Sequence, residues 1–250
     1  MKHIHITTRA ILVVVALPLL VALSACQGNT TSGTSTTPTQ VSGVQTSGSQ
    51  ASGTPGSNVS PSSTGSASTA LAAYKAVLLG QAEFFSTDQS ATMSLTQLTQ
   101  ALGTGEDGQP LTMQQFAVVD LDGDGTPEVV LSESGYTGYE ILHDQGGTVY
   151  GYNLGYRSFE QPKADGTFSF SGGANDNGFG TISFTTTAYN IKQVTYSQSS
   201  TDTAGNTTVA YFVNGNSSTQ DAFQAAVTQQ GAKADLSWID LTPDNVNSQL

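Results

Sequence analysis

From Leu111 onward the apolar residues recur at every second position, and no other feature restricts the fold of this chain so tightly. Phe116 and Val118, then Tyr150, Tyr152 and Leu154, then Phe168 and Phe170, Ile182 and Phe184, and finally Val209, Tyr211 and Val213 alternate with polar neighbours. That period puts one row of side chains in a core and the other in solvent, as half-buried strands require. Turn-forming pairs separate the runs at Gly146-Gly147, Asp165-Gly166, Gly172-Gly173, Asn177-Gly178 and Gly205-Asn206. Such turns join neighbouring strands directly, which predicts an antiparallel meander of about seven to nine strands.

Before Leu111 the period is helical. Leu71, Tyr74, Val77, Leu78 and Phe85 predict a helix over 69–85, and a shorter one is expected over 94–102. Beyond the strands, Ser218 and Asp221 stand at capping-box spacing ahead of Phe223, Ala226 and Val227. Thr242-Pro243 has the form of an N-cap and first-turn proline, opening a closing helix to Leu250. The class is therefore α+β, a β-meander with an N-terminal helix and short C-terminal helices. Val129, Val130 and Leu131 are apolar without alternation, which marks a strand covered on both faces. Trp238, the single tryptophan, is expected to pack in the core or at an edge.

The stretch from Val119 to Val129 carries Asp120, Asp122, Asp124 and Glu128 at alternating spacing, with Gly123 and Gly125 between them. Calcium takes roughly six to eight oxygen ligands, and a tightly turned chain with alternating aspartates points several carboxylates at one centre. Counted as a twelve-residue EF-hand from Asp120, the final ligand position falls on Leu131, which cannot bind a metal. A shorter loop fits, with Asp120, Asp122 and Asp124, the Thr126 carbonyl, and Glu128 as ligands. Pro127 favours an extended Thr126 that presents this carbonyl. The bland alternative is a solvated acidic turn, against which stands the repulsion of four apposed carboxylates without a cation.

The pattern resembles the Asp-x-Asp-x-Asp-Gly-x-x-Asp/Glu loops of FG-GAP propellers and of many bacterial surface proteins. A propeller would need the motif repeated blade by blade, and it occurs once. A wider resemblance joins this loop to Tyr139-Glu140-Ile141-Leu142-His143, Val149 to Leu154, Asp165 to Phe170, and Asn177 to Gly180. That order is similar to a group of uncharacterised surface lipoproteins of Gram-positive bacteria, and it implies location and fold with no particular activity.

Lys2 and Arg9 precede an apolar run from Ala10 to Leu23, which ends in Leu23-Ser24-Ala25-Cys26. The run is short for a membrane span and reads as an export signal over 1–25. Its ending resembles the lipobox of bacterial lipoproteins, which implies cleavage before Cys26 and lipidation of that residue. An ordinary secretory signal is the alternative. Several acyl chains on one residue would hold the protein at the outer face of the membrane, where a single chain binds only marginally. Cys26 is the sole cysteine, which excludes an intramolecular disulfide. The segment 27–68 has no charged or aromatic residue and reads with Cys26 as a disordered tether, leaving one domain over 69–250.

The chain holds 19 acidic residues against seven basic ones, two of which precede Cys26. So acidic a domain argues against nucleic acid as a partner. His143 is the only histidine beyond the signal, which excludes a multi-histidine zinc site, and no Gly-x-Ser-x-Gly elbow occurs. The leading expectation is a calcium-stabilised, noncatalytic extracellular domain binding a glycan, cell-wall or protein ligand. Tyr136 and Tyr139 beside the acidic loop, with the polar loop residues Asn175 and Asp176, are the candidate ligand contacts, because tyrosine pairs a flat apolar face with a hydroxyl. The alternative is a carbohydrate- or peptidoglycan-active hydrolase, which needs only two carboxylates among Glu133, Glu140, Glu160 and Asp176.

Overall fold

The two-residue period yields strands, but they divide between two sheets and number more than a single meander. In the computed structural model the described residues are 63–250, apart from 106, 107 and 137. The signal segment, Cys26 and the tether up to residue 62 lie outside the described residues. In chain order the elements are α1 (Ser63–Leu78), β1 (Phe84–Ser86), β2 (Ala91–Met93), α2 (Leu95–Leu102), β3 (Met113–Val119), β4 (Glu128–Glu133), β5 (Gly138–Gln145) and β6 (Thr148–Gly155). They continue with β7 (Phe168–Ser171), β8 (Asn177–Phe184), β9 (Tyr189–Thr201), β10 (Thr207–Val213), β11 (Asn216–Ser218), α3 (Gln220–Gly231), β12 (Ile239–Asp240) and α4 (Pro243–Gln249).

One sheet has the order β12-β3-β4-β5-β6-β1-β2, and the other β11-β10-β9-β8-β7. All pairings are antiparallel except β1 with β6, where Phe85 lies opposite Tyr150 in a parallel register. This corrects the expectation of a helix reaching residue 85. The helix starts earlier, at Ser63 within the expected tether, and ends at Leu78, because Phe84–Ser86 finds ladder partners on both sides, β2 and β6. A helix there would leave the backbone edge of β6 unpaired.

The larger sheet is covered on both faces. Phe116, Val129, Leu131 and Leu142 pack against Ala70, Tyr74 and Val77 of α1, with Leu98 and Val246 from the neighbouring helices. On the other face Ala117, Val130, Ile141, Tyr152 and Leu154 meet Phe168 and Ile182 of the smaller sheet. Val129, Val130 and Leu131 are all 0% exposed, which accounts for their lack of alternation. Each such side chain contributes roughly 1.5–3 kcal/mol on burial. The smaller sheet carries α3 on its other face, where Phe223 meets Tyr211 at 5.4 Å between ring centroids.

The helix starts follow their capping chemistry. Ser94 and Gln97 form a reciprocal box at α2, and Thr242 caps α4 by accepting from Asn245 N at 3.2 Å. At α3 the cap is Thr219, which accepts from Ala222 N, and not Ser218. Ser218 is instead the last residue of β11, paired with Tyr211.

Candidate functional site

The acidic stretch is the loop of the β3–β4 hairpin, closed by the register pair Val119 and Glu128. Its carboxylates organise their own backbone. Asp120 accepts from Gly123 N at 2.8 Å through Oδ1 and from Gly125 N at 3.0 Å through Oδ2. Asp122 Oδ1 accepts from Asp124 N at 3.2 Å, and Asp124 Oδ1 from Thr126 N at 2.6 Å. Gly123 and Gly125 take φ values of 79° and 87°, which other residues adopt only at a cost. The result is that one carboxylate oxygen from each of Asp120, Asp122 and Asp124 comes within 4.8 Å of the others. An ionised carboxylate has about four lone-pair sites, so these amide bonds leave acceptor capacity free. The group can hold a metal ion.

Glu128 belongs to a second group. It is 0% exposed, its Oε2 accepts from Leu121 N at 2.7 Å, and its Oε1 lies 2.9 Å from Nδ1 of His143 on β5. Ligand atoms of Asp122, Glu128 and His143 also fall within 4.8 Å of one another. The four expected carboxylate ligands are thus split, with Asp122 common to both groups. Thr126, Asp122, Asp124, His143 and Asp144 line a depression of about 530 Å³ that also meets Ser66 and Thr69 of α1.

Charge and burial shape the protonation of these groups. Burial, and then the neighbouring charge of Asp124, pushes the Asp122 carboxyl up. Burial pushes Glu128 up to about 6, although its bonds from His143 and Leu121 favour the ionised form. For His143 burial alone would lower the value, but the hydrogen bond to Glu128, with the charges of Glu128, Asp122 and Asp124, raises it. Repulsion between Asp122 and Asp124 is what a cation would relieve.

Among the described side chains, the expected ligand contact Tyr139 lies apart from Asn175 and Asp176. Tyr139 stacks on Trp238, with ring centroids 5.8 Å apart and planes at 24°, and both line a cleft of about 570 Å³. Tyr136 ends the 3-10 turn after β4, and its side chain lies outside the described residues. Asn175 and Asp176 lie in the β7–β8 turn and do not line that cleft. Asp176 accepts from both Ser199 N and Ser199 Oγ at 2.6 Å, bonds that hold its carboxyl below the usual range. Its role is to fasten the turn to β9.

Among the carboxylates considered for hydrolysis, Glu133 and Glu160 line the Tyr139 cleft, whereas Glu140 is wholly buried. Asn153 Nδ2 donates to Glu133 Oε1 at 2.6 Å and more weakly to Glu140 Oε2 at 3.5 Å. Burial pushes Glu140 up to about 8, and its Oε1 has no hydrogen-bond partner among the described residues. Sequence reasoning missed His143 as a partner of the acidic loop and Trp238 as a cleft residue. The register of the β5–β6 hairpin was a usable signal for the first, because alternation puts Tyr139, Ile141 and His143 on one face.

No family model, curated protein or solved structure matches this chain.

Proposed function

We propose that the chain is an extracellular lipoprotein, held on the outer face of a bacterial membrane by lipid on Cys26, whose domain is noncatalytic and pinned by calcium at Asp120, Asp122 and Asp124. The observation that carries the calcium part is the convergence of these three carboxylates within 4.8 Å on a loop already bent by its own amide bonds. An all-oxygen donor set suits a hard cation. Thr126, through its carbonyl, and Glu128 are the remaining ligands of this reading. The lipobox-like ending and the uncharged tether support the location.

A surface domain of this kind serves by binding something outside the cell. At roughly millimolar calcium and a Kd near 10⁻⁴ M, linkage contributes about 1.4 kcal/mol, enough to order one hairpin without switching the fold. The test is thermal unfolding in excess calcium and in chelator. A higher midpoint with calcium supports the reading, and coincident curves remove it.

Glu133 and Glu160 on one cleft favour a second reading, a glycoside hydrolase with paired carboxylates. The commitment of Glu133 Oε1 to Asn153 weighs against it. Release of shorter glycans by the full-length chain, abolished in Glu160→Gln, would establish it.

A further inference from the structure

The Tyr139 cleft has a composition that no role in the metal loop explains. We propose that it is a binding site for a neutral oligosaccharide, with Tyr139 and Trp238 as the sugar-stacking platform and Tyr156 as a second aromatic contact. This rests on the reading of the domain as an extracellular binder and names its ligand class.

The platform is built and held. The Tyr139 ring stacks on Trp238 and meets Phe159 edge-on at 5.3 Å, and Phe159 is itself 0% exposed and wedged against Phe168. β12 secures the tryptophan side, where Ile239 pairs with Phe116 and Gln115 Nε2 donates to Asp240 Oδ1 at 3.0 Å. Tyr156 at the end of β6 is 63% exposed, unusual for a large aromatic ring and one of two exposed large hydrophobics among the described residues. Flat aromatic faces of this kind lie well against the C–H face of a pyranose ring.

The polar lining selects the ligand. Gln114, Gln115 and Gln161 carry amides that both donate and accept, which suits hydroxyl groups, and Glu133 and Glu160 add acceptors. No Lys, Arg or His is among the described lining residues, and the chain is strongly acidic. Phosphate- or carboxylate-bearing polymers would meet repulsion there without compensation. A volume of about 570 Å³ lies within the range of small-ligand sites. A few sugar rings seated on two aromatic surfaces match all of these features.

Trp238 is the only tryptophan, so its fluorescence reports the cleft alone. The full-length chain is titrated with neutral tetrasaccharides of glucose, mannose, galactose, xylose and N-acetylglucosamine, and with oligogalacturonate as the anionic arm, each with calcium and with chelator. The expected result is a saturable change in Trp238 emission with at least one neutral sugar and none with oligogalacturonate. By calorimetry, Tyr139→Ala is expected to weaken that binding at least tenfold and Tyr156→Ala three- to tenfold, while Tyr196→Ala on the other sheet leaves it unchanged. No saturable signal with any neutral sugar, binding confined to the anionic arm, or equal affinity in folded Tyr139→Ala would overturn the proposal. Loss of sugar binding leaves the calcium reading untouched, because that reading stands on the melting curve. Cleavage of a bound sugar would end the noncatalytic reading and support the cleft assignment.

Discussion

His143 Nδ1 lies 2.9 Å from Oε1 of Glu128, with the histidine 5% and the glutamate 0% exposed, so the acidic loop is joined to the core by a buried polar contact. The two residues sit on adjacent strands, and His143 also stacks on Phe184 of the smaller sheet at 4.7 Å. A loop already closed by the Val119–Glu128 ladder pair is thereby tied also to β5 and, through Phe184, to the smaller sheet.

His143→Phe keeps the stacking on Phe184 and leaves Glu128 with one donor, the Leu121 amide. Stranding a buried charge costs about 3 kcal/mol. Glu128 has its pKa raised to about 6, so the folded state holds its proton more tightly than the unfolded chain, and its destabilisation grows as pH rises through that value. His143 has the same sign in the wild-type protein: its raised value gives stability that is present below about 6.5 and fades as pH rises past the folded value, so the part of the loss owed to the missing histidine is largest at low pH. The wholly buried carboxylate dominates. Urea unfolding should show a loss of about 3 kcal/mol at pH 7.5 and a smaller one at pH 4.5.

Glu140 gives a separate pH signature. Its carboxyl is pushed up to about 8, chiefly by burial, so the wild-type protein should lose stability as pH rises from about 5 to 9, when this group ionises in the core. Glu140→Gln cannot ionise and should flatten that slope, with the variant the more stable of the two near pH 9 by about 1 kcal/mol or more. Parallel pH profiles for the two proteins would show that another group sets the slope.

Much of this was legible in the sequence where one period or one cap decides the outcome. Val129-Val130-Leu131 announced a doubly covered strand, and the structure puts them between helices and a second sheet. The convergence of Asp120, Asp122 and Asp124 followed from their alternation and the two glycines. What stayed hidden depends on contacts far apart in the chain. Phe84 and Phe85 read as a helix end until β6, some 65 residues on, supplies a parallel partner. The 13-residue β9 carries a bulge opposite Phe179 and Gly180 and mostly polar side chains, so its period is blurred. Tyr139 was visible as an aromatic, but its partner Trp238 reaches it only because β12 returns to the edge of β3.

Tyr74 connects α1 to the same region. Its hydroxyl oxygen accepts from Asp144 N at 2.6 Å, and the side chain is 0% exposed. Tyr74→Phe removes the acceptor and preserves the ring packing, so the cost is that of a part-buried amide losing its partner, about 1–2 kcal/mol. Denaturant curves should shift in midpoint without a change in slope. Hydrogen exchange at the Asp144 amide should quicken, whereas a purely hydrophobic role for Tyr74 would leave it as it was.

Asp122 makes the calcium reading falsifiable in a second way, because its neutralisation has opposite effects with and without the ion. In chelator the Asp122 carboxyl is pushed up by burial and by the charge of Asp124, so its ionised form is a burden on the folded state at neutral pH. Asp122→Asn removes that burden, keeps an oxygen that can accept from Asp124 N, and should leave the chelated protein as stable as wild type or slightly more so. In millimolar calcium the same change weakens the ion's coordination, and the variant should lose most of the roughly 1.4 kcal/mol gained by linkage. The two melting curves should therefore exchange order between chelator and calcium. A loop that only turns the hairpin gives no such crossing, since an isosteric amide would then behave alike in both conditions.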